Sequence, residues 1–180
     1  MINSSRTTHA LTRAATITAW PIWLTVCSAM LLLLALIALA PLLLARHETS
    51  SAAFIYRALG YVCHQVPERS FQLQGHPLPV CARCLGLYAG FLIGALTFPL
   101  IRPLSTKSAL ETPARRWFLL ALVPTAIDFG LDLCGWWENT HASRALTGAL
   151  LGAVSALYVM PGLIALFRQA LKSFTPARSR

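Results

Sequence analysis

The sequence predicts an all-α integral membrane bundle of four transmembrane helices, with a short interfacial helix in its first outer loop. Three observations carry that expectation. Of 180 residues, 56% are hydrophobic and 12% charged, about half the charge of an ordinary soluble domain at roughly 25%. Four stretches, 20–44, 85–101, 117–133 and 145–167, are apolar over about the 20 residues that a bilayer crossing takes. Little chain remains outside them, so the reading is one membrane domain over 20–167, a polar tail at 1–19 and a basic tail at 168–180.

The net charge of +9 raises nucleic acid as a partner, but no basic-aromatic interleaving of the kind that stacks single strands is present. The cations sit at helix ends and tails, which fits a lipid bilayer as the partner. With the N-terminus cytoplasmic, ten Lys and Arg fall inside, against five outside (Arg46, Arg57, Arg69, Arg83 and Arg144). The positive-inside bias therefore places both termini in the cytoplasm, in a plasma or inner membrane. The loop 46–84 then lies on the outer side, where disulfides are permitted.

Residues 1–19 are Ser/Thr-rich and weakly basic, and read as a tail. The first apolar run is too long for a signal peptide and is taken as a retained span. Over 50–62, Phe54, Ile55, Ala58, Leu59 and Val62 recur at helical spacing, which predicts a short helix lying in the interface with Arg57 toward the headgroups. Pro67 and Glu68-Arg69-Ser70 predict a turn with a local ion pair between Glu68 and Arg69. Pro77 and Pro79 keep the chain extended and delay the second span until Val80 or Cys81. Cys81 and Cys84 thus fall three residues apart on one face of a first helical turn, whose N-terminus favours a thiolate.

Within the second span Gly86, Gly90 and Gly94 repeat every four residues, a stripe that admits a close neighbour. The loop 102–116 is a basic connection. The third span carries Asp128 and Asp132 one turn apart. A mid-membrane carboxylate costs about 2.5–3.5 kcal/mol on insertion scales, so both are expected to face the bundle or water. Trp136 and Trp137 mark the interface. Arg144, at the entrance of the fourth span, is the expected countercharge for Asp132 or Asp128. The fourth span offers Ala145, Gly148, Ala149, Gly152, Ala153 and Ala156 as a second close-packing face. Cys27 reads as a small buried hydrophobe, and His9 and His141 as exposed.

The chemistry is concentrated in residues 61–90, where Cys63, His64, His76, Cys81 and Cys84 share one short segment. Three readings stay open. Three thiolates and one imidazole would give the tetrahedral sulfur/nitrogen shell that zinc prefers, Cys63, Cys81 and Cys84 with either His76 or His64. Alternatively Cys81 and Cys84 form a thiol-disulfide couple passing electrons to a quinone and working with a redox partner protein. Cys63 or Cys134 would then shuttle, with Arg83 lowering the thiolate pKa. The third is a structural disulfide that pins the loop. A c-type haem fits poorly, because Leu85 and not His follows Cys84. No hydrolase, kinase or nucleotide motif appears.

CHQVPERSF, GHPLPVCARCLGLYAG and PTAIDFGLDLCGWWENTHASRALTG together resemble the predicted membrane proteins grouped as domain of unknown function 2085, over roughly residues 54–155. The resemblance implies a small multi-spanning membrane protein and no particular activity. Asp132 stands where that family often has glutamine, which makes this site the more acidic.

Overall fold

The computed structural model of the chain describes residues 3–104, 107–136 and 138–174, with side chains described for 19–104, 109–136 and 138–170. Trp137, the side chain of His9 and residues 175–180 of the basic tail lie outside these. The architecture is helical: α1 Asn3–Ala45, α2 Thr49–Leu59, α3 Ala82–Ile101, α4 Arg115–Leu133 and α5 His141–Phe174. Between α2 and α3 lie a 3-10 turn, Pro67–Arg69, and a small antiparallel hairpin of β1 Gln72–Leu73 and β2 His76–Pro77. A second 3-10 turn, Lys107–Leu110, precedes α4.

Three helices are long and apolar enough to cross a membrane: Ala19–Ala45, Ala82–Ile101 and His141–Ala170. The expected fourth, α4, does not qualify on length and composition, since its 19 residues carry Arg115, Arg116, Asp128 and Asp132. The helices also outrun their expected limits. α1 begins at Asn3, not near residue 20, and α5 continues to Phe174. The sequence at both ends, Ala-, Leu- and Arg-bearing, has no glycine or proline to stop a helix there.

The bundle is built on α3 and α5, which share its most extensive contact and run parallel. Gly86, Gly90 and Gly94 of α3 face the backbone of Ala145, Ala149 and Ala153. A β-carbon at Gly90 would lie 2.6 Å from the Ala149 carbonyl carbon and Cα, where no real side chain fits. Gly148 and Gly152 return the fit against the carbonyls of Arg83 and Leu87. The two small-residue stripes thus face one another. Without a hydrophobic force between helices in lipid, such backbone approach is the main source of cohesion.

α1 runs antiparallel to α3, and α4 antiparallel to α5. Three apolar clusters stack along the bundle. One end joins Ala19 and Ile22 to Phe98, Met160 and Ile164. Cys27 lies in the middle cluster with Leu92, Ala95 and Ala156, and Trp23 Nε1 donates to Ala95 O at 2.6 Å. The other end joins Ile37, Leu59, Leu78 and Val80 under Cys63. α4 is attached by the edge-on packing of Phe118 against Tyr158 and by polar contacts. Thr125 Oγ1 donates to Thr147 O at 3.1 Å, while the Tyr158 hydroxyl donates to Ala114 O at 2.8 Å and accepts from Phe118 N at 3.1 Å. Its only buried residues are Ala121 and Asp128.

Candidate metal centre

The loop between α2 and α3 is folded back on itself by a few specific bonds. Gln65 takes a left-handed φ of 53°, and its Nε2 donates to Tyr56 O at 2.6 Å and to Pro79 O at 2.9 Å. One amide thereby ties the end of α2 to the segment entering α3. The Tyr56 hydroxyl donates to Pro77 O, and Leu78 N donates to Phe71 O at 2.7 Å. Gln74 and Gly75, at φ 54° and 77°, both sit in the left-handed region, as a two-residue type I′ hairpin turn requires. Beyond this turn the chain stays extended through Pro77, and α3 starts only after Cys81, as the two prolines predict.

These bonds bring Cys63 onto the N-terminus of α3. Cys81 caps that helix and Cys84 lies one turn in. The sulfurs of Cys63, Cys81 and Cys84 all lie within 4.8 Å of one another. All five cysteines are free thiols. Cys81 N donates to Cys63 Sγ at 3.2 Å, a bond that stabilises negative charge on that sulfur. The Cys84 thiol, donating to Cys81 Sγ, pulls the Cys81 thiol down to about 5, against its partial burial, with help from the Cys84 and Arg83 backbone N–H groups and from Cys63. Three sulfurs around one zinc, each about 2.3 Å from it, stand about 3.8 Å apart by tetrahedral geometry, so the cluster needs little adjustment to hold such an ion.

A cavity of about 380 Å³ opens over the sulfurs. His64 lines it and is exposed. His76 lies across the hairpin from Leu73 and does not line the cavity. Neither imidazole joins the three sulfurs within the same mutual reach. Cys134 is exposed at the end of α4, also outside the cluster.

Arg83 and Arg69 pair differently from expectation, while Arg144 meets an aspartate as expected. Arg83 lies between the two cysteines in sequence, yet at about 100° per residue its side chain leaves the helix on another face. Its Nη2 reaches Asp128 Oδ2 at 2.5 Å, with Asp128 buried at 8% exposure and the guanidinium 5.6 Å from the Phe129 ring centroid. Arg83 therefore serves Asp128, and the low Cys81 value has its main cause in Cys84. Arg144 takes Asp132, at 3.0 and 3.1 Å to its two oxygens. Arg69 extends to Asp132 at 3.8 Å, not to its neighbour Glu68. His141, exposed as expected, packs on Phe71 and contacts Glu68 O at 3.1 Å. Asn139 Nδ2 donates to Asp128 O at 2.5 Å.

Gln65, Tyr56 and Asn139 are the positioning residues that the sequence reading passed over. Gln65 stands inside CHQVPERSF, next to the Cys-His pair, and that proximity was the available signal. No such signal marked Tyr56 or Asn139, whose partners are distant backbone carbonyls.

The model of the predicted membrane protein family DUF2085 matches residues 63–158, the segment that holds the thiol cluster and the ion pairs. An uncharacterized protein of Methanocaldococcus jannaschii is 36% identical over 107 residues, covering 59% of this chain and 67% of its own length. Another uncharacterized protein, from Methanothermobacter thermautotrophicus, is 38% identical over 95 residues, covering 51% of this chain and 78% of its own. No solved structure matches the chain. With the match spanning the three sulfurs, both aspartates and the α3–α5 seam, the chain belongs to the DUF2085 family of predicted membrane proteins.

Proposed function

We propose that this protein holds a thiophilic divalent ion, zinc foremost, at one end of a four-span membrane bundle. Cys63, Cys81 and Cys84 supply three thiolates, and the fourth position opens to the cavity, where His64 is the nearest protein candidate. Three protein ligands with an open position is the arrangement of zinc sites that handle a ligand, whereas structural sites close all four. The observation that carries this reading is the convergence of the three sulfurs within 4.8 Å, in a loop whose backbone is fixed by Gln65. Asp128 and Asp132 sit beneath as ion-paired groups and hold α4 to the bundle.

α4 acts as the fourth span in this reading. Its two carboxylates face Arg83 and Arg144, so the charges that count against insertion are matched inside the protein. The alternating directions of α1, α3, α4 and α5 support the same topology. The metal centre then lies on the outer side, with both termini cytoplasmic.

Elemental analysis of detergent-purified protein tests the site. About one zinc per chain is expected, lost in Cys81→Ser and kept in Cys134→Ser. Metal-free protein with an oxidised Cys81–Cys84 pair overturns the reading. A membrane-impermeant maleimide tests the side: the exposed Cys134 is expected to react in intact cells, and labelling only after lysis reverses the orientation.

A further inference from the structure

Three arginines and two aspartates meet beside the thiol cluster, and their charges do not cancel. Arg83 is taken by Asp128 at 2.5 Å, and Arg144 by both oxygens of Asp132 at 3.0 and 3.1 Å. Arg69 is left with the longest contact, 3.8 Å, to a carboxylate already accepting from Arg144. Its side chain is also the most open of the three, at 51% exposure against 24% for Arg83 and 10% for Arg144. Glu68 next to it is exposed and makes no ion pair among the described residues.

Arg69 is also part of the wall of the 380 Å³ cavity, together with Val62, Val66 and the three cysteines. The volume falls within the range of about 300–1,000 Å³ typical of small-ligand sites. A guanidinium presents donors in a planar fork that matches a carboxylate. The lining thus offers a guanidinium whose one ion pair is the longest of the three, two valine side chains and three sulfurs.

We propose that this cavity binds a small organic carboxylate, its anionic end on Arg69 and its short apolar end against Val62 and Val66. The proposal rests on the metal reading for one further feature: a carboxylate oxygen also takes the ion's fourth position. Arg69 is then the specificity-determining residue of the site, and it offsets the negative charge that a divalent ion keeps when three thiolates and a carboxylate surround it.

The test uses the full chain in detergent, loaded with cobalt(II) as a spectroscopic substitute for zinc, and butyrate as the probe. Butyrate is expected to change the visible cobalt bands saturably, and butylamine to leave them unchanged. Arg69→Gln is expected to weaken butyrate by about tenfold or more, the loss of one charge-assisted contact, with cobalt stoichiometry and thiolate-to-cobalt absorption preserved. Arg69→Lys should fall between. No saturable change, or equal affinity in Arg69→Gln, overturns the proposal. So does a loss of cobalt itself in Arg69→Gln without any butyrate effect, which would make Arg69 a charge partner of the metal alone. Equilibrium dialysis of radiolabelled butyrate against metal-free protein separates the two readings. If the chain takes up no cobalt yet binds butyrate in an Arg69-dependent manner, the metal centre fails and the anion site stands. If it binds neither, both fail.

Discussion

Replacing Asp128 with alanine leaves the partly buried Arg83 guanidinium without its close countercharge. The pair is close, 2.5 Å between Nη2 and Oδ2, with charge centres about 4 Å apart. At an effective dielectric of about 20 that separation corresponds to about 4 kcal/mol of attraction. Removal of one partner from a buried pair typically costs about 3–5 kcal/mol, because the survivor stays desolvated. Asp128→Ala and Arg83→Met are therefore each expected to destabilise the bundle by about 3 kcal/mol. The double variant should cost much less than their sum, since it leaves no orphaned charge. Reversible unfolding of the reconstituted protein by steric trapping measures all four corners of the cycle. A coupling below about 0.5 kcal/mol, the scatter of independent sites, would refute the claim that these two groups neutralise one another. It would also remove the main physical reason for treating α4 as a span.

Gly90→Val places a branched side chain where the Ala149 carbonyl carbon and Cα stand 2.6 Å from the β-carbon position, with the carbonyl oxygen nearer still. It is expected to destabilise by at least about 2 kcal/mol, the middle of the overpacking range, in the same unfolding assay, whereas Gly130→Ala, with nothing within 4 Å, should be near neutral. Gln65→Ala removes both carbonyl contacts that close the loop. A fall in zinc affinity of about tenfold, worth about 1.4 kcal/mol, is expected by competition with a chelating dye, with the helical circular dichroism unchanged. The Cys81 thiol, ordinarily at 9.0 and held at about 5, contributes stability that is full above pH 9. That contribution declines as pH falls from 9 and is lost below about 5. In metal-free protein, iodoacetamide alkylation of Cys81, followed by mass spectrometry, should thus stay nearly level from pH 8 to 6 and drop below 5. A tenfold loss per pH unit across 8 to 6 would show an ordinary thiol.

The helical bundle was legible because lipid imposes a simple rule, long apolar runs with small-residue stripes, and both stripes met as facing surfaces. The three cysteines were legible as a group because Pro77 and Pro79 fix where α3 can start, and hence where Cys81 and Cys84 point. Of the ion pairs, Arg144 with Asp132 was legible and Arg83 with Asp128 was not. Arg83 and Asp128 are 45 residues apart, and their meeting depends on how α4 lies against α3, which no local pattern encodes. The reach of His76 was likewise hidden in the Gln74-Gly75 reversal, whose two residues gave too little polar alternation around them to announce a hairpin. α4 failed as a self-evident span for a related reason: its polar cost is met by side chains on other helices, which a window along one segment does not see.

Where α3 and α5 touch main chain to main chain, neither can roll about its own axis without driving carbonyls into each other. That pair is a fixed post. α4 is tethered to it by guanidinium–carboxylate contacts, two hydroxyls and the packing of Phe118 on Tyr158 rather than by interlocked backbone. A substitution on α4 accordingly removes one ion pair or hydroxyl contact at a time, whereas one on the post is felt along the whole α3–α5 seam.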